Sequence, residues 1–183
     1  MDKGKFFLTD YGSYNNGTQF EFGHWVDLNE FDEVEELNDY IQEHFVNADK
    51  KSPLDNFGSK REEVMITDYE GFPEHFYSEC MRFENLFEYF KRIEDSNFDF
   101  EVIEAFADYG NYSLDDLDEF FDALEESYSG QYDNDIDFAQ DMHEQTGDSI
   151  SDSWPHNCID WDRAARDLMF DYFESNGYYF RNL

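Results

Sequence analysis

The sequence predicts an α+β fold, with short strands toward both ends of the chain and amphipathic helices between them. Three observations predict it. Apolar or alternating runs near residues 5–10, 19–27, 63–68, 128–132 and 178–180 fit strands, while the stretches between them repeat apolar side chains every 3.6 residues. Gly, Pro and Asn clusters separate these segments. Finally, 21 Phe, 13 Tyr and 3 Trp among 183 residues supply large apolar surfaces to a chain with few aliphatic ones. Acidic disordered chains lack such residues, and each aromatic side chain buries roughly 150–250 Å², so a few per helix close a small core.

Taken in order, residues 5–10 are an apolar strand. Tyr14-Asn15-Asn16-Gly17 is a turn signal, because Asn and Gly tolerate positive φ. Residues 19–27 alternate through Phe20, Phe22 and His24 toward Trp25 and Val26, as a second strand would. A helix over 32–46 places Val34, Leu37, Tyr40, Ile41 and Phe45 on one stripe. Residues 47–62 are a polar loop with Pro53, Gly58 and three of the six lysines, and residues 63–68 return as a third strand. Glu70-Gly71-Phe72-Pro73 ends it, and helices follow over 82–94, 99–109 and 114–128. Ser129-Gly130 breaks the third of these before a short strand over 128–132. Another helix is expected at 135–146, then a loop around Trp154-Pro155. A last helix starts at Asp160 as N-cap and runs to about residue 174 ahead of Gly177, with residues 178–180 as the final strand. Cys80 and Cys158 are the only cysteines and are expected as buried free thiols.

Charge dominates the function classes. The chain has 46 Asp and Glu against 12 Lys and Arg, a formal charge of -34. A general basic surface for nucleic acid or anionic lipid is thereby excluded. No apolar run approaches the roughly 18 residues of a membrane span, and the N-terminus lacks the apolar core of an export signal, so a cytoplasmic location is expected. The charge is unevenly spread. Residues 1–46 carry net -9, 47–92 net -3, 163–183 net zero, and 93–162 hold 22 acids without a single Lys or Arg.

Asp133-Asn134-Asp135-Ile136-Asp137, with Glu144 at the twelfth position, partly matches a calcium-binding EF-hand loop. Phe138 stands where that loop needs Gly, so a capped acidic helix start is the reading preferred. His24, His44, His75, His143 and His156 are scattered without zinc spacing, and no phosphate loop or nucleophile signature is present. No catalytic, metal or cofactor site is therefore assigned, and no enzyme activity is expected.

The 114–128 helix is more informative. Asp115, Asp116, Asp118, Glu119, Asp122, Glu125 and Glu126 form its polar face, and 115/119, 118/122 and 122/126 are like charges at i,i+4. Each such pair opposes the helix by about 0.2–0.5 kcal/mol, whereas solubility needs a net charge of only about 2–8. Together with Asp133, Asp135, Asp137 and Asp141, these residues are the candidate anionic surface. Duplex DNA carries one charge per ~1.7 Å, so 34 charges equal about 58 Å of duplex, roughly 17 base pairs. An elongated chain would approach that density, and a surface that a DNA-binding protein mistakes for DNA is physically reachable.

Tyr14-Asn15-Asn16-Gly17 followed by Gly23-His24-Trp25-Val26-Asp27, then Asp68-Tyr69-Glu70-Gly71, resemble segments of the ArdA antirestriction family. So do Asp160-Trp161-Asp162-Arg163-Ala164-Ala165-Arg166-Asp167-Leu168 and Asp171-Tyr172-Phe173 near the other end. The resemblance implies a bacterial protein of mobile genetic elements, an elongated three-domain dimer imitating bent DNA. It implies occupation of the DNA-binding groove of type I restriction–modification enzymes, without chemistry and without direct nucleic-acid or membrane binding. On this reading the domains are an α+β domain over 1–70, a helical middle over 71–110 and an α+β domain over 111–183. The alternative is an acidic inhibitor or chaperone of another basic protein, such as a nucleoid protein or a CRISPR effector.

The neutral segment 163–183 is the expected place of self-association. Two chains at -34 repel everywhere else, and Phe170, Phe173, Tyr178, Tyr179 and Phe180 give it more apolar side chains than one stripe needs. Filling the chain's own core is the competing role of these rings.

Overall fold

The computed structural model describes residues 2–109, 112–147, 149–151 and 153–183. The architecture is α+β, with two small antiparallel sheets among helices. The chain divides into two compact units, one of residues 1–100 and 111–117, the other of residues 101–110 and 118–183. Among the described residues no helix is long and apolar enough to cross a membrane.

In the first unit β1 (Lys5–Asp10) is the central strand of a sheet ordered β2-β1-β3. It buries Phe6 and Leu8, and Asp10 caps α1 (Tyr11–Asn15) by accepting from the Ser13 N–H at 2.6 Å. Of the strand expected over 19–27, only its second half forms. Gln19–Phe22 is a single helical turn, α2, and β2 is His24–Asp27. Gly23 makes the switch: its N–H closes the turn onto the Gln19 carbonyl, and a Cβ there would run into the Phe7 ring. Phe20 is consequently turned out and 80% exposed.

Helix α3 (Val34–Lys51) is longer than the periodicity indicates and takes in part of the expected loop. It buries Leu37, Ile41, Phe45 and Ala48, and Lys50 and Lys51 sit in its last turn, where the helix dipole favours cations. Its start is held by the Glu36 carboxylate, which accepts from the Asp32 N–H at 2.9 Å. Strand β3 (Val64–Glu70) pairs antiparallel with β1, and α4 (Phe83–Asp95) buries Phe83, Leu86, Tyr89, Phe90 and Ile93. Phe83 stacks on Phe6 at 5.3 Å between ring centres, tying the helix to the sheet.

In the second unit α5 (Phe100–Tyr109) and α6 (Leu117–Ser127) precede β4 (Tyr128–Gln131). The expected 114–128 helix is thus preceded by a 3-10 turn, Leu114–Asp116, with Ser113 as its cap, which belongs to the first unit. Helix α7 is Asp135–Gln145 and α8 is Trp161–Leu168, with Asp160 as N-cap as expected. Helix α8 stops well short of residue 174. Tyr172–Ser175 is instead β5, and Tyr178–Arg181 is β6, giving the sheet β4-β6-β5. Asn176 and Gly177 have φ of 54° and 84°, the left-handed pair that a two-residue hairpin demands. Asn-Gly between aromatic β-formers is a hairpin signal that reading Gly177 as the end of a helix passed over. The core is aromatic: the Phe106 ring lies 5.3 Å from Phe120 and 5.3 Å from Phe180, and Phe173 stacks on Phe180 at 5.1 Å.

Cys80 and Cys158 correct another expectation, since both are free but exposed. Each lies outside the regular elements that bury the aromatics, and Cys80 Sγ is 3.3 Å from the Tyr11 hydroxyl.

Candidate functional site

The amphipathic pattern of α6 is realised as expected. Leu117, Phe120, Ala123 and Leu124 are buried, which turns Asp118, Glu119, Asp122, Glu125 and Glu126 to solvent. Of the eleven carboxylates expected to form the anionic surface, ten are exposed and Asp141 is half-buried. Asp118 apart, their surroundings sort them into two kinds.

One kind is tied into local structure. Asp115 accepts from Asn85 Nδ2 at 2.7 Å and faces Arg82 at 3.5 Å. Asp116 accepts from the Ser113 hydroxyl at 2.7 Å in the capping of the turn before α6. Asp135 takes a hydrogen bond from the Tyr179 hydroxyl at 2.8 Å, and Asp137 one from Asn134 Nδ2 at 2.8 Å. Asp141 accepts from the Tyr132 hydroxyl at 2.6 Å and from Gln145 at 2.7 Å. These two bonds, Tyr132 foremost, hold the Asp141 carboxyl below its ordinary range. Burial first, then the carboxylate, pushes Tyr132 up to about 12. Tyr179 is likewise raised, by burial and then by Asp135. These phenols stay protonated and donate, which fixes the direction of the anions without neutralising them.

Glu119, Asp122, Glu125, Glu126 and Asp133 are of the other kind: among the described residues none has a side-chain hydrogen bond or ion pair. Four of them are presented to solvent from α6, and Asp133 from the segment before α7. Asn134 caps α7, accepting from the Ile136 and Asp137 N–H groups at 3.0 Å each, so the 133–137 segment is a helix start, as preferred above. Among the described residues no three His, Cys, Asp or Glu side chains are grouped to hold a metal ion.

The residues named for self-association divide. Phe173, Tyr179 and Phe180 fill the core of their own unit, Tyr178 is half-buried, and Phe170 is 80% exposed. The physical reason is that both faces of the hairpin are covered: Phe173 and Phe180 stack on one face, and Tyr179 packs on Phe138 of α7 on the other.

The sequence reading left two features of the first unit unassigned. Glu35, Glu36, Asp39 and Glu43 of α3 form a second exposed acidic face, signalled by the net -9 of residues 1–46. Arg61, within the expected polar loop, is buried at 4% exposure. It lies between Asp10 at 3.3 Å and Asp49 at 2.7 Å, with further bonds to Ser13 Oγ and the Ser52 carbonyl. With Lys50 and Lys51 on α3, the loop before β3 presents a single lysine, Lys60.

The profile of the family described as antirestriction protein (ArdA) matches residues 6–180. No curated protein and no solved structure gives a significant match. The chain belongs to the ArdA antirestriction protein family.

Proposed function

We propose, with that membership as premise, that the chain is a DNA mimic that occupies the DNA-binding groove of type I restriction–modification enzymes. The observation that carries the reading is the set of unpartnered carboxylates on α6, inside seventy residues that contain no Lys or Arg. Like charges at i,i+4 on one helix oppose folding, so an unrelieved anionic face fits selection for contact with a cationic partner. Opposite charges on a DNA-binding groove steer association and exclude duplex from the same surface. No step of chemistry is involved: inhibition follows from occupancy alone.

The test is competition. Purified chain, a type I enzyme and a labelled specific duplex are mixed at several salt concentrations. Mutually exclusive binding is expected, with affinity for the chain falling as salt rises. A stable ternary complex with the duplex seated in the groove overturns the reading.

A further inference from the structure

The segment between α7 and α8 carries a ring that the fold does not use. The other two tryptophans have partners. Trp25 meets the Phe7 ring edge-on at 5.8 Å and takes Lys5 Nζ at 4.9 Å, and Trp161 meets His143 at 5.7 Å. Trp154 is 80% exposed, and among the described residues its indole has no hydrogen bond, ring contact or cation. Burying an aromatic side chain removes roughly 150–250 Å² from water, so a chain with few aliphatic residues forgoes a large contribution by leaving one outside. A lone exposed ring is ordinary on a protein surface. What sets this one apart is its support and its place.

The support is a tied turn. The Asn157 N–H donates to the Ser153 carbonyl at 3.2 Å and the Cys158 N–H to the Pro155 carbonyl at 3.0 Å, which makes a 3-10 turn of His156–Cys158. The Ser151 hydroxyl lies 2.9 Å from that of Ser153 and 3.2 Å from His156 Nδ1. The His156 ring in turn faces His143 of α7 at 5.7 Å, fastening the turn to the helix behind it. A ring held out on such a backbone loses little freedom when it docks. The place is anionic. Among the described residues the rings at least 80% exposed are Phe20, Phe57, Trp154 and Phe170. Phe57 shares its loop with Lys60, Phe170 lies in the neutral segment, and Phe20 is in the first unit. Trp154 alone stands within residues 93–162, with their 22 acids and no Lys or Arg, in the same compact unit as α6.

We infer that Trp154 stands in for an extrahelical base and enters the base-binding pocket of the partner's modification subunit. The inference rests on the reading of the partner as a restriction–modification enzyme. Modification is methyl transfer to a base, and such chemistry requires the base to leave the stack for a snug pocket of aromatic and apolar side chains. An indole, like a purine, is a flat fused pair of five- and six-membered rings, and stacking on aromatic walls accepts any π-face. It offers no exocyclic amine and no pyridine-type nitrogen to methylate, so it fills the pocket without reacting. A base among phosphates and an indole among carboxylates present the same combination, and the ring adds one buried anchor to a diffuse electrostatic contact.

The experiment uses the full chain and a complete type I enzyme, with affinity measured over a range of salt concentrations. Trp154→Ala should weaken binding on the order of tenfold or more, as truncation of a tryptophan anchor does. The slope of log affinity against log salt should stay as it is, since no charge is removed. Trp154→Phe, which keeps a π-face without the second ring, should recover part of the loss. Both variants should melt with the parent chain, because the ring lies outside the core. p-Benzoylphenylalanine is then placed at position 154, the complex is irradiated, and the cross-linked enzyme peptide is identified. Attachment to peptides lining the base pocket of the modification subunit supports the inference. Attachment only elsewhere overturns it. Parental affinity in Trp154→Ala, with duplex still excluded, also overturns it and leaves the mimic reading standing. A ternary complex of the parent chain with duplex seated in the groove overturns both.

Discussion

Carboxylates near Arg61 and carboxylates on α6 are the same functional group put to opposite uses. In the first unit Asp10 and Asp49 close on one guanidinium, with both Asp10 and Arg61 only 1% exposed in their side chains. The Asp10 carboxylate also caps α1, so strand end, helix start and loop meet at one buried charge. On α6 the acids stand in solvent, and among the described residues Glu119, Asp122, Glu125 and Glu126 have no cation to pair with. The difference teaches where acidity serves the fold and where the fold tolerates it. A paired, buried charge cannot be removed without leaving its partner stranded, while an unpaired exposed one can be removed at no cost to folding.

The sharpest way to break the comparison is Arg61→Met. It leaves Asp10 buried without a cation and should cost about 3–5 kcal/mol, read as a fall in thermal and denaturant stability. Arg61→Lys should recover only part of this, because an ammonium cannot reach Asp10, Asp49, Ser13 and the Ser52 carbonyl together. A loss of less than about 1 kcal/mol in Arg61→Met would show that the network is no more than surface pairing.

Replacing Glu119, Asp122, Glu125 and Glu126 by Gln or Asn probes the other side. The 118/122 and 122/126 repulsions both disappear, so stability should hold or rise by about 0.2–0.5 kcal/mol for each pair. Association with the restriction enzyme should slow on the order of tenfold or more at low salt, measured by stopped-flow or surface binding. A folded variant that associates and inhibits normally would make this face a bystander.

The smallest effect is a pH dependence at a cavity of the first unit. His44 has its folded proton affinity lowered, by burial, then His24, and less by Arg61, with Asp10 opposing. Glu21, Glu43, Tyr40 and Lys51 are the other titratable groups lining the same cavity. A base whose folded value lies below its unfolded one binds more protons when unfolded, so stability is full above about pH 6.5 and falls as the pH drops. His44→Gln should flatten that slope between pH 7 and 5 in thermal melts. An unchanged slope would assign the acid sensitivity elsewhere.

How much of this was legible beforehand follows from the range of the interactions. Helices α3, α4, α5, α6 and α7 declare themselves because an apolar stripe is a local, periodic property. The acidic face of α6 is legible for the same reason, being the complement of that stripe. Strand against helical turn at 19–22, and strand against helix at 172–175, are contests between short segments of similar composition. In such contests a single glycine or a hairpin partner decides, and the Asn176-Gly177 signal reads clearly only once Tyr178–Arg181 is known to fold back.

Composition and order of residues alone determined that the chain folds around aromatics, bears an unrelieved anionic segment and belongs with the antirestriction proteins. Only the tertiary structure decided which charges are available. Arg61 and Asp10 are 51 positions apart, and their pairing takes both out of the surface. Tyr132 and Tyr179 spend their hydroxyls on Asp141 and Asp135, while Glu119 and Asp122 find no such donor among the described residues. A charge is counted along the chain, but its freedom depends on what the folded chain brings within about 4 Å of it, and that distance is set by long-range packing.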